Sequence, residues 1–197
     1  MIVLLVLAGC AAREASGGCP RPGEGEQLLA NAEHGYCLIY PEGYTVERPN
    51  PDETVLVVGS ILNTQDARLH VEVHDAEGRT AEEVAGAIEA DVREAMGDWE
   101  LEREAVTLGG EDGVALGPLP GQELNRRVMV VRGERLYDLM FAPVDESRGD
   151  AYRGMEELYE CVLERAAHLV QAGVLMCRGD DLEAHGQSVF GRRARGQ

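Results

Sequence analysis

The stretch 124-LNRRVMVVRGERLYDLMFAP-143 decides the fold. It reads as a β-hairpin turning at Gly133-Glu134, because a glycine at the first position of a two-residue loop takes the positive φ that such a turn needs. That turn sets Arg132 against Arg135, Val130 against Tyr137, Val128 against Leu139 and Arg126 against Phe141, which makes one face solidly apolar. The other face carries Met129, Val131, Leu136 and Met140 beside Arg127 and Asp138, so it too is mostly covered, as in a sheet with helices on at least one side.

Outward from the hairpin the pattern stays regular. Pro143 ends its second strand, and 150–168 reads as a helix with Met155, Leu158, Tyr159, Val162, Leu163, Ala166 and Leu169 at helical spacing. Upstream, Glu100 to Leu108 and Gly113 to Leu119 are strands around the turn at 109–112. Thr80 opens a helix that ends near Met96-Gly97: Thr80 with Glu83 forms a capping box, and Val84, Ile88, Val92 and Ala95 line one stripe. Ala67 to His74 alternates strictly, with Leu69, Val71 and Val73 facing in and Arg68, His70, Glu72 and His74 facing out. Thr54 to Leu62, Tyr44 to Glu47 and Tyr36 to Tyr40 complete the strands. The fold class is α+β, an antiparallel sheet of six to seven strands with helices packed on its faces, spanning residues 34–170.

Composition narrows the function. A formal net charge of −18 argues against a nucleic-acid partner, since phosphate backbones are bound through a basic patch. All 18 basic residues are Arg, so a Lys Schiff base, a Lys general base and the P-loop lysine are excluded. The four serines, Ser16, Ser60, Ser147 and Ser188, include no G-x-S-x-G elbow. No catalytic signature is present, and the chain reads as non-enzymatic.

Residues 1–9 read as an export signal. The apolar run is far shorter than the ~20 residues a membrane span needs, and Val6-Leu7-Ala8-Gly9-Cys10 resembles the lipobox of bacterial lipoproteins. That resemblance implies cleavage before Cys10 and a lipid on it. One departure is that no Arg or Lys precedes the run. Residues 10–33 are rich in Gly, Glu, Pro and Ala and read as a flexible tether, and 171–197 as a disordered tail. The expected location is the exported face of the cell membrane, with the membrane held through the lipid and a protein partner in the envelope.

Tyr40-Pro41-Glu42-Gly43-Tyr44-Thr45-Val46, Thr107-Leu108-Gly109-Gly110-Glu111 and the hairpin with Tyr137 and Phe141 before the last helix resemble the Mog1/PsbP-like superfamily. The resemblance covers about residues 34–170 and implies an α/β/α sandwich used as a binding or assembly module; no site motif transfers with it.

Two chemistries remain as candidates. His70, Glu72 and His74 share one strand face, so two imidazoles and a carboxylate could meet a divalent cation such as Zn²⁺, which is the alternative function; their spacing of about 7 Å along a strand is loose for that, and a solvated face is the competing reading. With Cys10 lipidated, Cys19, Cys37, Cys161 and Cys177 remain, an even number in a compartment that permits disulfides. In the fold that the resemblance implies, Cys37 with Cys161 would tie first strand to last helix, leaving Cys19 with Cys177. Pairing is not fixed by sequence, and four free thiols are the other reading.

Overall fold

The computed structural model describes residues 19–58 and 66–166. The export signal, Cys10, Cys177 and the tail at 171–197 lie outside the described residues.

The central hairpin forms with the expected register, Arg132 opposite Arg135, Val130 opposite Tyr137, Val128 opposite Leu139 and Arg126 opposite Phe141. Gly133 takes φ +60° at the turn, which a side chain would disfavour. These strands, β8 (Asn125–Arg132) and β9 (Arg135–Ala142), sit inside a seven-stranded antiparallel sheet. The other members are β3 (Tyr44–Glu47), β4 (Glu53–Val58), β5 (Arg68–Asp75), β6 (Glu102–Leu108) and β7 (Glu111–Leu119), and the order across the sheet is β3-β4-β5-β9-β8-β7-β6. The α+β class is therefore the one observed.

Alternation along the strands makes two cores. On the first face Leu56, Leu69, Val71, Val128, Val130, Leu139 and Phe141 pack against Met155, Leu158, Tyr159 and Val162 of helix α2 (Asp150–Ala166). Phe141 is fully buried and meets the Tyr159 ring edge-on at 5.1 Å. On the second face Val114, Leu116, Met129 and Leu136 pack against Val84, Ala85 and Ile88 of helix α1 (Ala81–Met96). Burial of each such side chain contributes roughly 1.5–3 kcal/mol. The α1 terminus carries the expected capping box: Thr80 Oγ1 accepts from the Glu83 amide and the Glu83 carboxylate accepts from the Thr80 amide. Gly113 lies where β7 comes close to β8, since a Cβ there would stand 2.7 Å from the Met129 carbonyl oxygen.

One expectation needs correction. Residues 10–33 were expected to be a tether throughout, yet Glu26–Asn31 is a strand, β1, paired antiparallel with β2 (Tyr36–Pro41) so that Leu29 faces Leu38 and Ala30 faces Cys37. The cause is tertiary. Leu29, Leu38 and Tyr40 of this separate two-stranded sheet enter the first core, and the surrounding Glu, Gly and Asn mask a run with only two leucines. Polar contacts fix the hairpin to the sheet and to α2: the Tyr137 hydroxyl donates to the His34 carbonyl at 2.8 Å, the Tyr36 hydroxyl donates to Thr54 Oγ1 at 2.8 Å, and Arg165 of α2 pairs with Glu26 at 2.7 Å. β4 ends at Val58, and the expected continuation to Leu62 lies outside the described residues.

Candidate functional site

The second face of the sheet is divided. Helix α1 packs over β7 and β8, whereas α2 and the β1–β2 hairpin take the first face. Neither helix packs on the second face of β3, β4 and β5, and there the alternation of β5 presents Arg68, His70, Glu72 and His74. Cross-strand register then assembles a polar strip. Glu53 of β4 stands opposite Glu72, and Glu72 stands opposite Asp138 of β9, which makes three carboxylates in a row across adjacent strands. Such like-charged neighbours repel unless each has a counter-charge.

Each one has. His70 Nδ1 lies 3.2 Å from Glu53 Oε1, and these side chains are 18% and 17% exposed. His74 Nε2 lies 3.0 Å from Glu72 Oε2 in a more open setting. Arg127 of β8 donates through Nε to Asp138 Oδ1 at 3.0 Å and through its terminal nitrogen to Oδ2, and the Asp138 side chain is 5% exposed. Burial works against the charge on Arg127, but the hydrogen bonds and charge of Asp138, with Glu72 behind them, outweigh it and hold the guanidinium pKa above its usual value. At the end of the strip Arg68 meets Glu123 at 2.7 Å, and Arg148 approaches the same carboxylate at 3.3 Å.

This geometry does not bring the three metal candidates, His70, Glu72 and His74, to one point. His70 and His74 sit four residues apart on β5, about 13 Å by strand rise, and each imidazole turns to a different carboxylate. Among the described residues no group of three His, Cys, Asp or Glu side chains is placed to hold a metal ion. Sequence reading did find this polar face, and it placed Arg127 and Asp138 on the hairpin, but it missed Glu53. The position of Glu53 depends on the length of the loop before β4, which no periodicity records.

The cysteines also pair differently from the expected Cys37 with Cys161 and Cys19 with Cys177. Cys19 is bonded to Cys37, with Cα atoms 5.9 Å apart. Cys161 is a free thiol. Its Sγ donates to the Ile39 carbonyl at 3.7 Å, two residues along β2 from Cys37 or about 7 Å. Burial pushes the Cys161 pKa up, the charges of Glu26 and Glu164 add to that, and Arg165 opposes it. A thiol so held is a poor nucleophile. No helix among the described residues is long and apolar enough to cross a membrane.

These features define a class: an antiparallel sheet-and-helix module with one face covered by a hairpin and a helix, and a strip of paired ionisable side chains across β4, β5, β9 and β8 on the other. Among solved structures the chain is similar to the solution structure of cyanobacterial PsbP (CyanoP) from Synechocystis sp. PCC 6803, with 18% identity and a TM-score of 0.43, over 74% of this chain and 96% of that one. No family model matches the chain, and no curated protein matches it.

Proposed function

We propose that the chain is an exported lipoprotein, attached to the membrane through Cys10, whose folded body is a non-enzymatic binding or assembly module at the cell envelope. The observation that carries this reading is the Cys19–Cys37 bond, because disulfides of this structural kind belong to oxidising compartments outside the cytosol. The lipobox-like Val6-to-Cys10 run supports the same location. The ionisable groups of the second sheet face support binding over turnover, since they satisfy one another in pairs.

A single acyl chain gives only marginal membrane attachment, so the stable form of this anchor carries more than one. Eight residues lie between Cys10 and Cys19, and the nine steps from one to the other limit the leash to about 30 Å. The acidic body, meanwhile, is repelled by anionic headgroups. The test is palmitate labelling of the full chain in cells with and without globomycin. Label on wild type, its loss in Cys10→Ser and a precursor that accumulates with the inhibitor are the expected results. Unlabelled, unprocessed protein in the soluble fraction would overturn the reading.

A further inference from the structure

Strand β6 is the last in the sheet order, and most of its residues are exposed. Among the described residues no turn or loop places a backbone hydrogen bond on its outer edge. An open edge of seven residues is a template for another strand. Its side chains restrict which strand that can be. Arg103 turns toward α1, where it pairs with Glu89 at 2.8 Å and with Glu82. Glu102 and Glu104, at alternate positions facing the other way, are exposed and make no ion pair among the described residues. The connection leading into the strand adds Asp98 and Glu100, both exposed.

At the head of β6 lies a groove of about 230 Å³ lined by Glu89, Arg93, Trp99 and Leu101. Trp99 is fixed there by its indole N–H, which donates to the Pro118 carbonyl at 2.8 Å. Met96, 48% exposed, stands at the end of α1 nearby in sequence. Tryptophan and methionine beside a charged rim match the composition of interface hot spots.

We infer that β6 is a docking edge for an extended segment of a partner protein, one that carries Lys or Arg at alternate positions and an aliphatic side chain that enters the Trp99 groove. Main-chain hydrogen bonds along the edge supply affinity in this mode. Cross-strand pairs with Glu102 and Glu104, and filling of the groove, supply selectivity. The inference rests on the binding-module reading but not on the lipid anchor.

The test uses the purified chain with an acetylated, amidated synthetic peptide, Leu-Lys-Val-Lys-Val-Lys, and a control peptide with Glu in place of Lys. Trp99 is the single tryptophan, so its emission reports on the groove, and amide exchange reports on residues 102–108. The basic peptide should change the emission and protect the β6 amides, while the acidic one should do neither. Glu102→Arg with Glu104→Arg, both at exposed positions, should weaken the basic peptide by about tenfold or more. Glu160→Arg with Glu164→Arg makes the same charge change on the exposed side of α2 and should alter binding by no more than about twofold. Equal weakening by the two pairs would reduce the effect to net charge and overturn the proposal, as would unprotected β6 amides. A partner crosslinked on intact cells to another surface sinks the β6 site and leaves the module reading standing; absence of any partner sinks the module reading.

Discussion

Breaking the Cys19–Cys37 bond is the sharpest test of how the amino-terminal hairpin is held. The bonded residues are 18 apart in sequence, and closing a loop of that size removes roughly 11 cal/mol/K of entropy from the unfolded chain, about 3 kcal/mol at 25 °C. The double substitution Cys19→Ser, Cys37→Ser should therefore lower stability by about 3 kcal/mol. With a urea dependence of about 2 kcal/mol/M for a domain of this size, the midpoint should fall by about 1.5 M. The slope should rise slightly, because the unbridged denatured chain exposes more surface. Urea titrations followed by circular dichroism measure both quantities, and reductant on wild type should reproduce the shift. Cys161→Ser is the control: it removes only a weak thiol hydrogen bond to Ile39, so the change should stay below about 1 kcal/mol. An unchanged midpoint in the double variant, or a larger loss in Cys161→Ser, would refute the pairing and return Cys37 to the last helix.

Two further perturbations probe the body. Phe141→Ala removes a fully buried ring and its edge contact with Tyr159, and should cost about 4 kcal/mol by chemical denaturation. The capping box predicts a pH effect on α1: hydrogen bonds from the Thr80 backbone and hydroxyl hold the Glu83 carboxyl below 4.5, so its contribution is complete above that pH and lost as the pH falls through the lower, folded-state value. Amide exchange in the first turn of α1 should rise on that descent in wild type and stay flat in Glu83→Gln.

The elements that were legible in the sequence are those whose cause is local. Gly133 and the alternation on either side of it fix the β8–β9 register without reference to anything distant, and the Thr80-to-Glu83 spacing fixes the start of α1. What escaped depends on contacts between remote segments. β1 has one deeply buried leucine, Leu29, and becomes a strand because β2 and the first core are there to receive it. The choice of Cys19 over Cys161 as partner of Cys37 follows from that hairpin and could not precede it. At the candidate site the outward face of β5 and the face of the hairpin that carries Arg127 and Asp138 are readable from period two, whereas the carboxylate that claims His70 comes from a neighbouring strand whose offset is set by a proline-containing loop. A strand face can be read from one segment; who stands opposite requires the whole sheet.

The sheet order carries a consequence for how a chain of this kind comes into being. β3, β4 and β5 form one meander and β6, β7, β8 and β9 another, and a single ladder, β5 with β9, joins them. That ladder connects residues 68–75 with 135–142, so it is the long-range step on which folding speed depends. A nascent chain that stops before Arg135 holds two incomplete halves, each ending in a bare, aliphatic inner edge: Leu69, Val71 and Val73 on one, Val128 and Val130 on the other. Such edges stick to copies of themselves, and this sheet hides both with the last strand to be synthesised.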